Sequence, residues 1–219
     1  MKLPVYGVYG VSGFGREVMP LARASVEMAG ISTDRLVFID DNPEAEVVNG
    51  HSVVRYADFL ALKASERHVV IAIASSVVRE KLAACLRADG VKEWSVCAAN
   101  AVSMDAVKLG EGSILCPFVT LTSNVCVGKH FHANIYSYVA HDCVIGDFVT
   151  FAPGVKCNGN IVIEDHAYIG TGAILKQGSP GKPLVIGRGA VVGMGAVVTK
   201  DVPPGVTVVG SPARPLMRS

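Results

Sequence analysis

His141 and Asp142 stand side by side in Tyr138-Val139-Ala140-His141-Asp142-Cys143-Val144-Ile145-Gly146, an otherwise small and apolar stretch. A histidine beside a carboxylate suits general-base work, because the carboxylate fixes the ring tautomer and supports the imidazolium as it forms. A plain surface histidine is the competing reading. A second group of candidates lies near the start of the chain. Gly10-Val11-Ser12-Gly13-Phe14-Gly15 has the spacing G-x-x-G-x-G, not the G-x-G-x-x-G of dinucleotide folds. It still sets backbone N–H groups at a helix start, where a phosphate can sit. Asp40-Asp41 and Ala74-Ser75-Ser76 end two further apolar runs. Carboxylates at such strand ends commonly accept hydrogen bonds from ribose or base groups, though turn aspartates in water have the same appearance. His130, His132 and His166 raise a zinc site with His141, but His130 and His132 are two apart near a turn and need not share a direction. No metal is expected.

The elements that must hold these groups differ between the two halves. In the first, Val5–Gly10, Leu36–Ile39 and Val69–Ile73 read as buried strands. Residues 16–28, 56–62 and 77–88 read as helices, with Trp94-Ser95-Val96 a last strand. This βαβαβα alternation predicts a small parallel sheet covered by helices. Its three glycine- and aspartate-bearing loops would converge on one mouth. The half is too short for a complete nicotinamide dehydrogenase, and no second substrate domain with a proton relay follows.

The second half keeps a six-residue beat. Leu109, Leu115, Leu121, Val127, Ala133, Val139, Ile145, Phe151, Cys157, Ile163, Ile169 and Leu175 are six apart and all apolar. Neither a helix nor a flat strand repeats at six, but a triangular parallel β-solenoid with one inward residue per side does. Gly110, Gly128 and Gly146 recur every eighteen residues and mark one corner, where a tight or positive-φ backbone is expected. The beat slips once, at Lys176-Gln177-Gly178-Ser179-Pro180-Gly181-Lys182-Pro183, which adds five residues and should leave the solenoid as a loop, either a harmless excursion or a binding element. Asp201-Val202-Pro203-Pro204-Gly205 is expected to end the regular coils. The domains are residues 1–97 and 98–219, with no flexible linker. Flat sides and open end strands favour self-association.

The 219 residues carry a net charge of +1, which argues against a large nucleic-acid or anionic-membrane footprint. No apolar run reaches membrane-spanning length, and Met1-Lys2-Leu3-Pro4 leads into a strand without a signal-peptide pattern, so a cytoplasmic protein is expected. The six cysteines show no C-x-x-C spacing and read as reduced core residues.

These motifs occur in order with two more: Ile71 to Arg79, and the tail Val209-Gly210-Ser211-Pro212-Ala213-Arg214. Over nearly its whole length the chain resembles the bacterial nucleotide-sugar acyltransferases of the PglD/NeuD kind. The resemblance implies a Rossmann-like α/β domain followed by a left-handed parallel β-helix, assembled as a homotrimer. It also implies acetyl-CoA along the solenoid and a nucleotide-linked amino sugar on the first domain. His141 then matches the catalytic base, Asp142 the acidic residue behind it, and Asn134 a polar residue near the reacting centre. Ser12, Gly13 and Phe14, with Asp40, Asp41 and Ala74, match the sugar-nucleotide contacts. Thr150, Thr171 and Met194 match coenzyme contacts, and Gly159 a backbone donor to the oxyanion. Three residues depart from the pattern. Phe14 stands where the family's turn often carries histidine, Thr150 where some members have a second histidine, and Ala74 replaces a glycine.

The resemblance implies acetyl transfer to the 4-amino group of a 4-amino-4,6-dideoxy sugar, most often on UDP. Three rivals remain open. An O-acetyltransferase acting on a free sialic-acid-like sugar would have little affinity for a nucleotide, a zinc lyase would hold stoichiometric metal, and a non-catalytic scaffold would not turn over acetyl-CoA.

Overall fold

The structure is a computed structural model that describes residues 3–216; Met1 and Lys2 lie outside the described residues. The chain divides into two compact units, one ending at Cys97 and the other beginning at Ala98.

The first unit is built on a six-stranded sheet. Its elements are β1 (Val5–Tyr9), α1 (Gly13–Met28), β2 (Leu36–Ile39), β3 (Val47–Val48), β4 (His51–Val54), α2 (Tyr56–Ala61), β5 (Arg67–Ile71), α3 (Ser76–Ala88) and β6 (Lys92–Glu93). The spatial order is β3-β4-β2-β1-β5-β6. Every pairing is parallel except β3 with β4. Parallel strands covered by helices must be apolar throughout, and β2 is buried at all four residues. From β1 the chain winds outward through β2 and β4, then crosses to β5 and β6. The order therefore reverses beside β1, and a crevice opens at the carboxyl ends of such strands. The β3–β4 hairpin is an element the sequence reading passed over. Its signal is Asn49-Gly50, both in left-handed backbone (φ 50° and 81°), the pair that suits a two-residue hairpin turn. The last strand expected at Trp94–Val96 is two short pieces, Lys92–Glu93 and Val96–Cys97.

The second unit is a triangular solenoid of two- and three-residue strands. Three stacks of parallel strands form its sides, and partners before the insertion are eighteen residues apart, as in Leu121 with Val139 and Cys126 with Val144. The beat residues point inward, and all but Leu109 at the open start are buried. From Ser113 on, the residues two before each one are also buried, including Ser137 and Ala167. Of the six free cysteines, Cys116, Cys143 and Cys157 are in the core. Cys85, Cys97 and Cys126 are exposed, so the core reading holds for half of them. Cys126 is exposed because it stands one residue out of phase with the beat.

The corner glycines need a corrected reason. Gly110, Gly128 and Gly146 are not in left-handed backbone. They are glycine because successive coils touch there. A Cβ at Gly128 would lie 2.7 Å from the Gly146 carbonyl carbon and 2.8 Å from the Asp147 nitrogen. The left-handed turns instead fall at Ala106, Gly112, Phe118, Asn124, His130, Tyr136, Asp142, Phe148, Gly154, Asn160, His166 and Gly172, again six apart. Only three of these twelve are glycine. The rest accept a conformation costing about 1–2 kcal/mol each, offset by ladder hydrogen bonds between coils and by stacking on two of the corners. Phe118 stacks on Tyr136 at 4.9 Å, and His130, Phe148 and His166 form a second column at 5.1 and 5.3 Å.

The coils also run further than expected. Val202 bridges Ile186, Thr207–Val209 pairs in parallel with Val191–Val192, and Arg214–Pro215 covers that edge in antiparallel fashion.

Candidate active site

His141 and Asp142 follow the strand Tyr138–Val139 and turn one corner of the solenoid. Asp142 is the left-handed residue of that corner, with φ 58°. Aspartate and asparagine tolerate this backbone better than most residues, so the fold and the chemistry favour the same residue type here. The Asp142 Oδ2 lies 2.7 Å from the His141 Nδ1. An ionised carboxylate only accepts, so Nδ1 carries the proton and Nε2 is left as the basic nitrogen. The Asn124 side-chain amide donates to Asp142 Oδ1 at 3.2 Å. These two hydrogen bonds, His141's being the stronger, hold the Asp142 carboxyl below the usual carboxylate range. Both side chains of the pair are about half exposed, at 48% each.

Asn124 was missed in the sequence. It sits eighteen residues before Asp142, on the same corner one coil earlier, and counting by the full coil finds it. Asn124, Asp142 and Asn160 all carry left-handed backbone on that corner.

The His141 ring lies over Gly159. A Cβ on Gly159 would be 2.6 Å from both Cε1 and Nε2 of the imidazole. Glycine is therefore required by the histidine itself. The Gly159 carbonyl accepts from the Gly178 N–H at 3.0 Å, while among the described residues its own N–H has no backbone acceptor. Asn158 steadies this segment. Its amide donates to the Leu175 carbonyl at 2.7 Å, and its Oδ1 accepts from the Tyr138 hydroxyl at 2.8 Å.

Asn134 is not brought to this pair within the chain. It ends the preceding side, and its amide donates to the Phe151 carbonyl at 2.7 Å. Thr171 and Met194 occupy one corner on successive coils, linked by the Gly195 N–H donating to the Thr171 carbonyl. Met194 is 82% exposed there. Thr150 is buried in the strand Thr150–Phe151 and does not join them. His130, His132 and His166 do not gather round His141. His130 and His166 stack on opposite faces of Phe148, and His132 is buried in a strand.

In the first unit, the three candidate loops do converge. The Gly10 N–H donates to the Ile39 carbonyl and the Ala72 N–H to the Tyr9 carbonyl, both at 2.8 Å, so the ends of β1, β2 and β5 are bound together. Gly10 has φ 110° and a Cβ on Gly15 would run into the Gly10 carbonyl, which explains two of the three glycines. Gly13 is different, because a Cβ there would meet nothing within 4 Å. Ser12 precedes α1 without capping it through its side chain, and the residue is exposed. Asp40 Oδ1 accepts from the Asn42 N–H at 2.9 Å. Asp41 is gripped by a residue the sequence reading left aside. The Tyr9 hydroxyl lies 2.8 and 2.9 Å from its two oxygens. Burial, and next the bond to Asp41, push the Tyr9 phenol far above its ordinary value, so it stays a donor. Ala74 is held from below by fully buried Arg79, whose Nη1 donates to the Ile73 and Ala74 carbonyls at 2.8 and 3.2 Å.

Residues 7–86 match the PglD N-terminal domain family. Over 215 residues the chain is 47% identical to a GDP-perosamine N-acetyltransferase of Escherichia coli O157:H7, covering 98% of this chain and 97% of the relative. WeeI from Acinetobacter baumannii AYE superposes with a TM-score of 0.94 at 62% identity, covering 97% and 100% of the two chains. The acetyltransferase domain of PglB from Neisseria gonorrhoeae FA1090, solved in complex with acetyl coenzyme A, gives 0.86 at 28% identity, covering 99% and 100%. The architecture shared with these neighbours is a Rossmann-like domain followed by a left-handed parallel β-helix.

Proposed function

Because this chain belongs to the sugar N-acetyltransferases of the PglD/NeuD kind, as its 47% identity over nearly its whole length shows, we propose that it transfers acetyl from acetyl-CoA to the 4-amino group of a nucleotide-linked 4-amino-4,6-dideoxy sugar. The observation that carries this is the His141–Asp142–Asn124 relay, with the His141 ring set over Gly159. The chain's own residues fit an acyl thioester at that corner, since Gly159 offers an N–H without a backbone acceptor beside the base. Thr171 and Met194 are the contacts along the solenoid, and Asn134 and Thr150 enter only by family resemblance.

Acetyl-CoA supplies an activated acyl group as its thioester. His141 Nε2 takes the proton from the sugar amine as nitrogen attacks the carbonyl carbon. The Gly159 N–H donates to the oxygen as negative charge develops there, an interaction worth about 3 kcal/mol in comparable sites. As the carbon–sulfur bond breaks, His141 gives its proton to the departing thiolate. Asp142 holds the imidazolium between these steps and Asn124 holds Asp142. No covalent enzyme intermediate is needed.

Ser12, Gly13 and Phe14, with Asp40, Asp41 and Ala74, line the mouth assigned to the sugar nucleotide. UDP is the nucleotide the family motifs suggest. A second reading, GDP, is favoured by the name of the 47% identical relative. We further propose a homotrimer, supported by the exposed apolar side chains Phe118, Tyr136 and Met194 along one corner. A cytoplasmic location is proposed because both co-substrates are cytoplasmic metabolites. No helix among the described residues is long and apolar enough to cross a membrane.

The test is thiol release from acetyl-CoA against UDP-, dTDP- and GDP-linked 4-amino-4,6-dideoxyhexoses beside free neuraminic acid. Turnover with one amino-sugar nucleotide is expected, with His141→Ala lowering kcat by about 10²–10⁴-fold. Near-wild-type turnover by folded His141→Ala, or activity with the free sugar alone, overturns the reading.

A further inference from the structure

Cys143 directly follows His141 and Asp142 and turns inward where they turn out. It stands two residues before the beat residue Ile145 and is fully buried, while the pair before it is half exposed. Its sulfur lies 3.2 Å from the carbonyl oxygen of Asn158, one coil on, and 3.6 Å from the His141 carbonyl oxygen. Two carbonyl oxygens facing the sulfur call for a proton on it, and the nearer one, of Asn158, takes the hydrogen bond. Cys157, buried just before the next bend, gives its own proton to the Cys143 sulfur, and the Ile161 N–H donates to that sulfur as well. The bond from Cys157 draws the Cys143 thiol below its ordinary value against the opposing effect of burial, and a more acidic thiol is a stronger donor. The same bond, together with burial, pushes Cys157 well above the usual thiol range.

The Asn158 carbonyl belongs to the peptide unit whose other half is the Gly159 N–H. A trans peptide is planar, so its C=O and N–H point in opposite directions. Ladder bonds flank this unit without fixing it. The Ala140 N–H donates to the Cys157 carbonyl on one side of it, and the Asn160 N–H to the His141 carbonyl on the other. Among the described residues no backbone N–H donates to the Asn158 carbonyl, and the Cys157 sulfur is further from it, at 3.9 Å. The Cys143 thiol therefore draws that carbonyl toward the solenoid interior, which turns the Gly159 N–H outward beneath the His141 ring. We propose that Cys143 is a positioning residue for acetyl transfer, its buried thiol clamping the Asn158–Gly159 peptide so that the Gly159 N–H meets the acyl oxygen. The assignment rests on the acetyl-transfer reading above and deepens it.

The test joins NMR to kinetics on the full chain. With isotope labels on asparagine carbonyl carbons and glycine nitrogens, only the Asn49-Gly50 and Asn158-Gly159 peptides give paired signals. Cys143→Ala should move the Asn158 carbonyl resonance upfield as its hydrogen bond is lost, with the Asn49 signal unmoved. The same variant should lower kcat about three- to tenfold, the value of one hydrogen bond, with both KM values near wild type. Cys143→Ser keeps a donor and should retain most of the rate. Cys143→Val keeps the bulk without the donor and should follow alanine, which separates the lost hydrogen bond from lost packing. An unmoved Asn158 carbonyl, a moved carbonyl with unchanged kcat, or a serine variant as slow as alanine overturns the proposal. The resonance needs no turnover, so a wild type that acetylates no sugar nucleotide counts against the proposed function, and an unmoved carbonyl against the clamp alone.

Discussion

Gly159 and His141 occupy one space: the imidazole lies where a side chain on Gly159 would begin. A glycine one coil from a histidine thus sets the position of the base from below, while Asp142 sets it from the side.

Gly159→Ala should leave the fold intact and displace the ring. A shift of about 1 Å in a reacting group costs about 10²-fold in rate. The expected outcome is a kcat lower by that order with a circular-dichroism spectrum like wild type. A variant with unchanged kcat shows that the ring position is immaterial.

Asn124 is best tested with glycine, which keeps the left-handed backbone and removes the amide. Asp142 then loses one of the two hydrogen bonds that lower its carboxyl. The sign follows from that direction. The carboxylate's support of His141 is present above its titration and is lost as pH falls through it, so in the variant that loss begins at higher pH. Asn124→Gly should lower kcat about three- to tenfold, the value of one hydrogen bond, and leave both KM values near wild type, with the Asp142 carboxyl titrating at higher pH by NMR. An unmoved carboxyl titration removes Asn124 from the relay.

Tyr9→Phe probes the grip on Asp41. The Tyr9 phenol is raised in the fold, mainly by burial and then by Asp41. Its stabilising contribution is complete below the unfolded phenol's value of about 10 and is lost as pH rises above it. At neutral pH the variant should be less stable by about 1 kcal/mol, with a raised KM for the sugar nucleotide. In urea melts the gap to wild type should close as pH rises past 10, and a gap constant through pH 11 contradicts the assignment.

Two glycines should respond oppositely to alanine. Gly128→Ala drives a methyl into the next coil's backbone and should cost about 1–3 kcal/mol, as overpacking does. Gly13→Ala meets open space at the start of α1 and should stabilise by up to about 1 kcal/mol, while raising the KM for the sugar nucleotide. Thermal melts paired with KM measurements separate the two, and an unchanged KM for Gly13→Ala removes that glycine from the substrate mouth.

The solenoid was legible because each side must send one apolar residue inward, and a narrow interior leaves no choice at Leu121, Ile145 or Leu175. The corners were harder to read. Left-handed backbone is usually signalled by glycine, and here Ala106, Phe118, Tyr136 and Phe148 adopt it, held by ladder bonds between coils that no single repeat contains. The recurring glycines, Gly110, Gly128 and Gly146, carried a signal with another cause, contact with the next coil. His141-Asp142 stood out as polar residues in an apolar stretch. Asn124 and Gly159 did not, because their part in the site depends on stacking one coil above or below. Asn49-Gly50 was a written hairpin signal left unread, and the Tyr9–Asp41 bond joins the ends of two strands that only the sheet order makes neighbours.

The corner holding Asn124, Asp142 and Asn160 has an evolutionary consequence. Each coil presents the same backbone address, and that address already prefers asparagine or aspartate for reasons of chain geometry alone. An asparagine there is one exchange of an amide for a carboxylate away from a charged partner for a histidine placed just before it. Catalysis can therefore be installed on, or erased from, a given coil without redesigning the scaffold, and a silent coil and a working coil differ by little more than the two residues at the bend.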